Sequence, residues 1–105
     1  MVESILTSRV RRRPDLAFRA QEEQAWVLAT RSATLHRLNE TAAWLWARLD
    51  AEPTVEALGA ALQAHFDVDA PRAAEDVEAF VRALTALGLV DLVPASAAGV
   101  ESIHG

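Results

Sequence analysis

Residues 34–50, TLHRLNETAAWLWARLD, change their hydrophobic period once, at Asn39. Before it, Leu35 and Arg37 alternate with His36 and Leu38, the period of two that marks a strand. After it, Ala42, Leu45, Trp46 and Leu49 recur at helical spacing and form one apolar face. Asn39 suits the changeover, because its short side chain can accept a hydrogen bond from a free N–H of a first helical turn. A strand that enters a helix without a loop restricts the fold. The upstream segment must supply sheet partners, and the downstream segment must supply helices to cover that sheet.

Upstream, the pattern predicts two more strands. In residues 15–21, Leu16, Phe18 and Ala20 alternate with Ala17, Arg19 and Gln21. Ala25–Ala29 places Trp26 and Leu28 on one face and Val27 on the other. The third strand is residues 33–38. Connections of a few polar residues favour an antiparallel meander. One face, carrying Phe18, either Trp26 or Val27, and Leu35, has to be covered, since such a sheet is marginal alone. Residues 1–13 show no period and carry Arg9, Arg11, Arg12 and Arg13. They read as a flexible arginine-rich arm, either solvated or in contact with an acidic partner.

Downstream, three helices are predicted. The first is residues 40–49, with Pro53 as its stop. The second is Val55–Phe66, capped by Thr54, with Val55, Leu58, Leu62 and Phe66 as its stripe. The third is residues 72–87, with Ala73, Val77, Phe80, Val81 and Leu84 facing inward and Gly88 as a C-terminal glycine. Residues 89–92 form a short apolar tail that packs back, and residues 93–105 a flexible tail. The expected domain is therefore residues 14–92. Its class is α+β and winged-helix-like, a three-stranded antiparallel sheet followed by three helices.

Several function classes are disfavoured. A chain of 105 residues fits one small domain. It has no cysteine, hence no disulfide and no thiolate metal site. No apolar run nears the roughly 20 residues needed to span a bilayer. The N-terminal arginines follow a short apolar patch, the reverse of a secretory signal, so a cytoplasmic location is expected. A net charge of -5 argues against general nucleic-acid binding. Glycine-rich phosphate loops, HExxH and nucleophile elbows are absent. His36, His65 and His104 fall on different segments without ligand spacing. No catalysis, metal or cofactor is expected. Glu75, Asp76 and Glu78 spread around a helix and read as solvated, or Asp76 faces a cation or a partner's basic group. Trp46 belongs with the core. Trp44 is offset from it, and is either exposed or lies over the second helix.

The runs LHRLNETAAWLWARLD, TVEALGAALQAHFDVD and AEDVEAFVRALTALGLVDL, in this order, resemble the PqqD family. The matching positions are Leu38-Asn39, Leu45-Trp46, Thr54-Val55 with Leu58, Asp76-Val77 with Phe80-Val81 and Leu84, and Gly88-Leu89-Val90. The resemblance implies a RiPP recognition element, a small non-catalytic domain that binds the leader of a ribosomally made precursor peptide. It further implies that the leader adds as a strand beside the third strand, with side chains entering a groove against the third helix. Such domains hand the peptide to a modifying enzyme such as a radical SAM protein, a protease or a kinase-like protein.

The physics of a meander agrees with that mode, because an edge strand offers unpaired N–H and C=O groups to an added strand. The expected contacts are Ala33, Thr34, Leu35, His36, Arg37 and Leu38 on the strand. At about 100° per residue, Arg72, Asp76, Phe80 and Ala83 share one flank of the third helix, and Ala74, Glu78 and Thr85 the other. The first flank is the expected groove wall, with Phe80 as its apolar floor. The expected partners are a leader peptide and its enzyme, without nucleic acid or membrane, the domain being a monomer or weak dimer. The competing reading is a winged-helix DNA-binding regulator. It needs a basic recognition helix, whereas Arg72 and Arg82 are outnumbered by Glu75, Asp76 and Glu78.

Overall fold

The computed structural model describes residues 5–21 and 24–94. Its strands are β1 (Arg9–Arg12), β2 (Leu16–Ala20), β3 (Ala25–Ala29), β4 (Thr34–Leu38) and β5 (Val90–Val93). Its helices are α1 (Glu40–Ala47), α2 (Val55–Phe66) and α3 (Ala70–Ala86). β2, β3 and β4 form an antiparallel meander in that order, and β1 pairs with β5 in a separate two-stranded sheet. The α+β architecture is the expected one.

Each helix starts where a side chain can cap it. Asn39, Thr54 and Asp69 accept from the backbone N–H of Ala42, Ala57 and Arg72 at 2.9, 3.0 and 2.9 Å. α3 begins two residues before the expected start because Asp69 caps it and Pro71 sits in its first turn, where a missing N–H costs nothing. α1 tightens into a 3-10 turn over Arg48–Ala51 and stops at Glu52, whose φ is 50°. Gly88, at φ 75°, ends α3. Its N–H donates to the Thr85 carbonyl and the N–H of Leu89 to that of Leu84, a Schellman closure that turns the chain into β5.

Two expectations are corrected. Arg9–Arg12 is no loose arm but a strand in register with β5, Val10 opposite Leu92 and Arg12 opposite Val90. The N–H of Val10 also donates to the Pro53 carbonyl, and that of Val55 to the Ser8 carbonyl, so β1 is clasped from both sides. Val10 is fully buried. Residues 1–4 and 95–105 of the expected arm and tail lie outside the described residues. Secondly, the covered sheet face combines Phe18 with Val27 and His36, which stand opposite one another. Leu35 aligns with Leu28 and points the other way, 63% exposed.

The core lies between the meander and the helices. Val27, Leu45, Trp46, Val77 and Val81 are fully buried, with Leu38, Leu58, Leu62 and Leu84 beside them. Trp46 takes the edge of the Phe18 ring, centroids 5.5 Å apart. Trp44 lies over α2, stacked on His65 at 4.6 Å and edge-on to Phe66.

Candidate functional site

β4 pairs with β3 on one side only, from Leu38 opposite Ala25 to Thr34 opposite Ala29. Among the described residues its other edge is open. In an antiparallel pair, successive residues bond alternately toward and away from the partner, so every second residue of β4 presents its N–H and C=O outward. Four of the five β4 residues are at least partly exposed, and only Leu38 is buried. Ala33, assigned to this strand from its sequence, is instead the last residue of the β3–β4 turn, with φ 54°. The strand itself is Thr34, Leu35, His36, Arg37 and Leu38.

Where β4 ends, a groove of about 400 Å³ opens between the start of α1 and one flank of α3. Asn39, the residue after β4, lines it with Thr41, Ala42 and Leu45. From α3 come Arg72, Asp76, Phe80 and Ala83, the four residues of the expected flank, together with Ala79 and Leu84. Ala74, Glu78 and Thr85 do not line it. Phe80 is 6% exposed, so it is both core and floor of the groove. Ala79 and Ala83 are exposed and carry only a methyl group, which leaves the groove wide at that level. At its rim Arg72 donates to Asp76 over 3.3 Å, a solvated i,i+4 pair of little energetic weight. Glu78 is paired with Arg82.

Sequence reasoning missed Ala79 and the α1 contribution. Ala79 belongs to the stripe Arg72–Asp76–Ala79–Ala83 and was legible by spacing. Thr41, Ala42 and Leu45 were not, because their meeting with α3 depends on how α1 turns off β4.

The two edges of the meander are chemically unlike. Beside β2, the Arg12 guanidinium lies over the rings of Phe18 and Trp46, at 4.6 and 5.2 Å. It also donates to the Asp50 carboxylate and the Trp46 carbonyl. Asp15, just before β2, is held by Arg13 and Arg31. No group of three or more potential metal ligands occurs among the described residues. No helix there is long and apolar enough to cross a membrane.

The family model of Coenzyme PQQ synthesis protein D (PqqD) matches residues 24–90, which spans β3 through the start of β5. The chain belongs to the PqqD family. Among curated proteins, none matches its sequence. Two solved structures share the fold. TbiB1 in complex with the TbiA(beta) leader peptide superposes with a TM-score of 0.72 at 21% identity, over 77% of this chain and 94% of that one. Lasso peptide synthetase B1, complexed with the leader peptide, gives 0.70 at 25% identity, over 79% of this chain and 98% of that one.

Proposed function

We propose that this chain is a non-catalytic recognition domain that binds the leader segment of a ribosomally made precursor peptide and presents it to a modifying enzyme. The observation that carries the reading is the open edge of β4 running into the α1–α3 groove. Membership of the PqqD family and the likeness to two leader-bound proteins support it. The leader adds antiparallel to β4, its backbone pairing with the unpaired groups of Thr34–Leu38, which demands little of its sequence. Selectivity comes from the groove. An apolar leader side chain rests on Phe80, Ala79 and Ala83 leave room for it, and Arg72 and Asp76 select at the rim. β4 is preferred to β2 because only its end adjoins this groove. The enzyme served is a radical SAM protein, a protease or a kinase-like protein, and the domain works as a monomer or weak dimer.

The test is amide chemical-shift mapping while the leader of a precursor peptide found in this gene's neighbourhood is titrated in. Large shifts are expected along Thr34–Leu38 and at Asn39, Ala79 and Ala83. Shifts confined to α2 or to β2, with β4 and α3 silent, would exclude strand addition at this edge.

A further inference from the structure

The face of the meander turned away from the core has a composition that leader binding at the β4 edge does not use. The register sets two rows across it: Ala17, Leu28 and Leu35, then Arg19, Trp26 and Arg37. Leu28 is 36% exposed and Leu35 63%. A shallow depression of about 260 Å³ is lined by Ala17, Arg19, Trp26, Leu28 and Leu35, with Phe18 at its β2 side. Surface leucines scattered singly need no explanation, but a contiguous apolar row beside a half-exposed tryptophan marks an interaction surface.

Charge identifies the kind of partner. The chain is acidic, with a net charge of -5, yet none of these six positions is acidic. Arg12, Arg13, Arg31, Arg72 and Arg82 are each matched to a carboxylate. Among the described residues Arg9, Arg11, Arg19, Arg37 and Arg48 have no such partner, and of these Arg19 and Arg37 share this face and flank Trp26 on either side. Two free guanidinium groups around an aromatic and aliphatic centre form the arginine-and-tryptophan pattern of a protein-binding hot spot. A second copy of the chain fits poorly, since stacking two such faces about a dyad sets arginine against arginine. A nucleic-acid strand fits poorly too. It calls for several stacking rings, and this face offers one ring and two leucines.

We propose that the outward face of the β2–β3–β4 sheet is a docking surface for an acidic, apolar-centred patch on another protein. Building on the function proposed above, that protein is the enzyme to which the leader is delivered. The face lies at right angles to the open edge of β4, so leader and enzyme bind at the same time without competing.

The test uses the full chain, that leader peptide and the purified maturation enzyme found in the same neighbourhood, with calorimetric affinities at two salt concentrations. Arg19→Glu and Leu28→Asp lie on β2 and β3, away from the β4 edge, and both side chains are exposed. Each is expected to weaken enzyme binding by about tenfold or more. Leader affinity and melting temperature should stay as in the wild type, with Arg19→Ala as the milder variant should either fold poorly. Added salt should weaken enzyme binding by the wild type and have less effect on what binding Arg19→Ala retains. Leader binding by the wild type, with enzyme binding absent or indifferent to these variants, overturns the docking surface. So does a dimer, or binding of a thymidine oligonucleotide, that the same variants abolish. A wild type that binds enzyme through this face but no leader overturns only the function proposed above.

Discussion

Trp46 and Arg12 show how much single residues contribute to this small domain. Trp46 is fully buried, and its ring meets both Phe18 and the Arg12 guanidinium. Trp46→Ala should cost ~3–5 kcal/mol, a large share of the ~5–15 kcal/mol that holds a domain together. The indole N–H has no acceptor among the described residues. A buried, unpaired donor costs ~1–3 kcal/mol, so Trp46→Phe, which removes it, should cost far less than the alanine change. Thermal melting of the two variants checks this, and equal losses would mean the ring is not packed as described. Ala33 gives a prediction of opposite sign. At φ 54° a side chain is strained and glycine is not. Ala33→Gly should therefore stabilise by about 1 kcal/mol, read as a higher urea midpoint at unchanged slope. A lower midpoint would show that the turn does not hold this conformation.

At the scale of elements, α2 was legible to the residue, because a Thr54 cap, a four-residue stripe and a polar exit all agree there. β3 was legible for the same kind of reason, with polar residues on both sides. β1 and β5 were not. Each is four residues long and alternates over only three of them, too short a run to mark a strand, and each exists because the other lies across the fold, Arg9 opposite Val93. Arginines in a strand of this kind look like a solvated arm until their partners are known. The covered face of the meander failed for a related reason: alternation within a strand is visible, but only register shows that Phe18 stands opposite Val27 and not Trp26. One consequence is that removing residues 1–13 should not be silent. It deletes the buried Val10, the β1–β5 ladder and the Arg12 contacts, and should lower the melting temperature by about 10 °C or more, on the order of 2 kcal/mol. A truncated chain that melts like the full one would return this segment to the status of an arm. Proline scanning of β4 should show a second consequence. In one alternating set, Leu35 and Arg37 or else His36 between them, proline breaks the β3 ladder and lowers stability. In the other set it leaves stability closer to wild type and weakens leader binding. Loss of binding at every position alike would argue against a backbone-paired leader.

For the whole molecule, the groove and the core share Phe80, and this decides how binding and stability are to be separated. Phe80 is 6% exposed and lies with Val77, Val81 and Leu84. Phe80→Ala therefore removes core packing before it removes a leader contact, and weaker binding in that variant would have two causes. Ala83 is free of this ambiguity. It is exposed, lines the groove and is not one of the buried core residues. Ala83→Trp should fill the space above Phe80, leave the melting temperature of the free domain within a degree or two, and weaken leader binding by at least tenfold, ~1.4 kcal/mol. Linkage then gives a second readout. A ligand that binds only the folded state, at about 100 times its Kd, adds ~2.7 kcal/mol of apparent stability. In a domain of this size that raises the melting temperature on the order of 10–20 °C. Saturating leader should thus stabilise the wild type strongly and Ala83→Trp hardly at all, while random duplex DNA stabilises neither at physiological salt. If Ala83→Trp keeps the full leader-induced shift, the α1–α3 groove does not hold the leader's side chains, and selectivity must be sought along β4 itself.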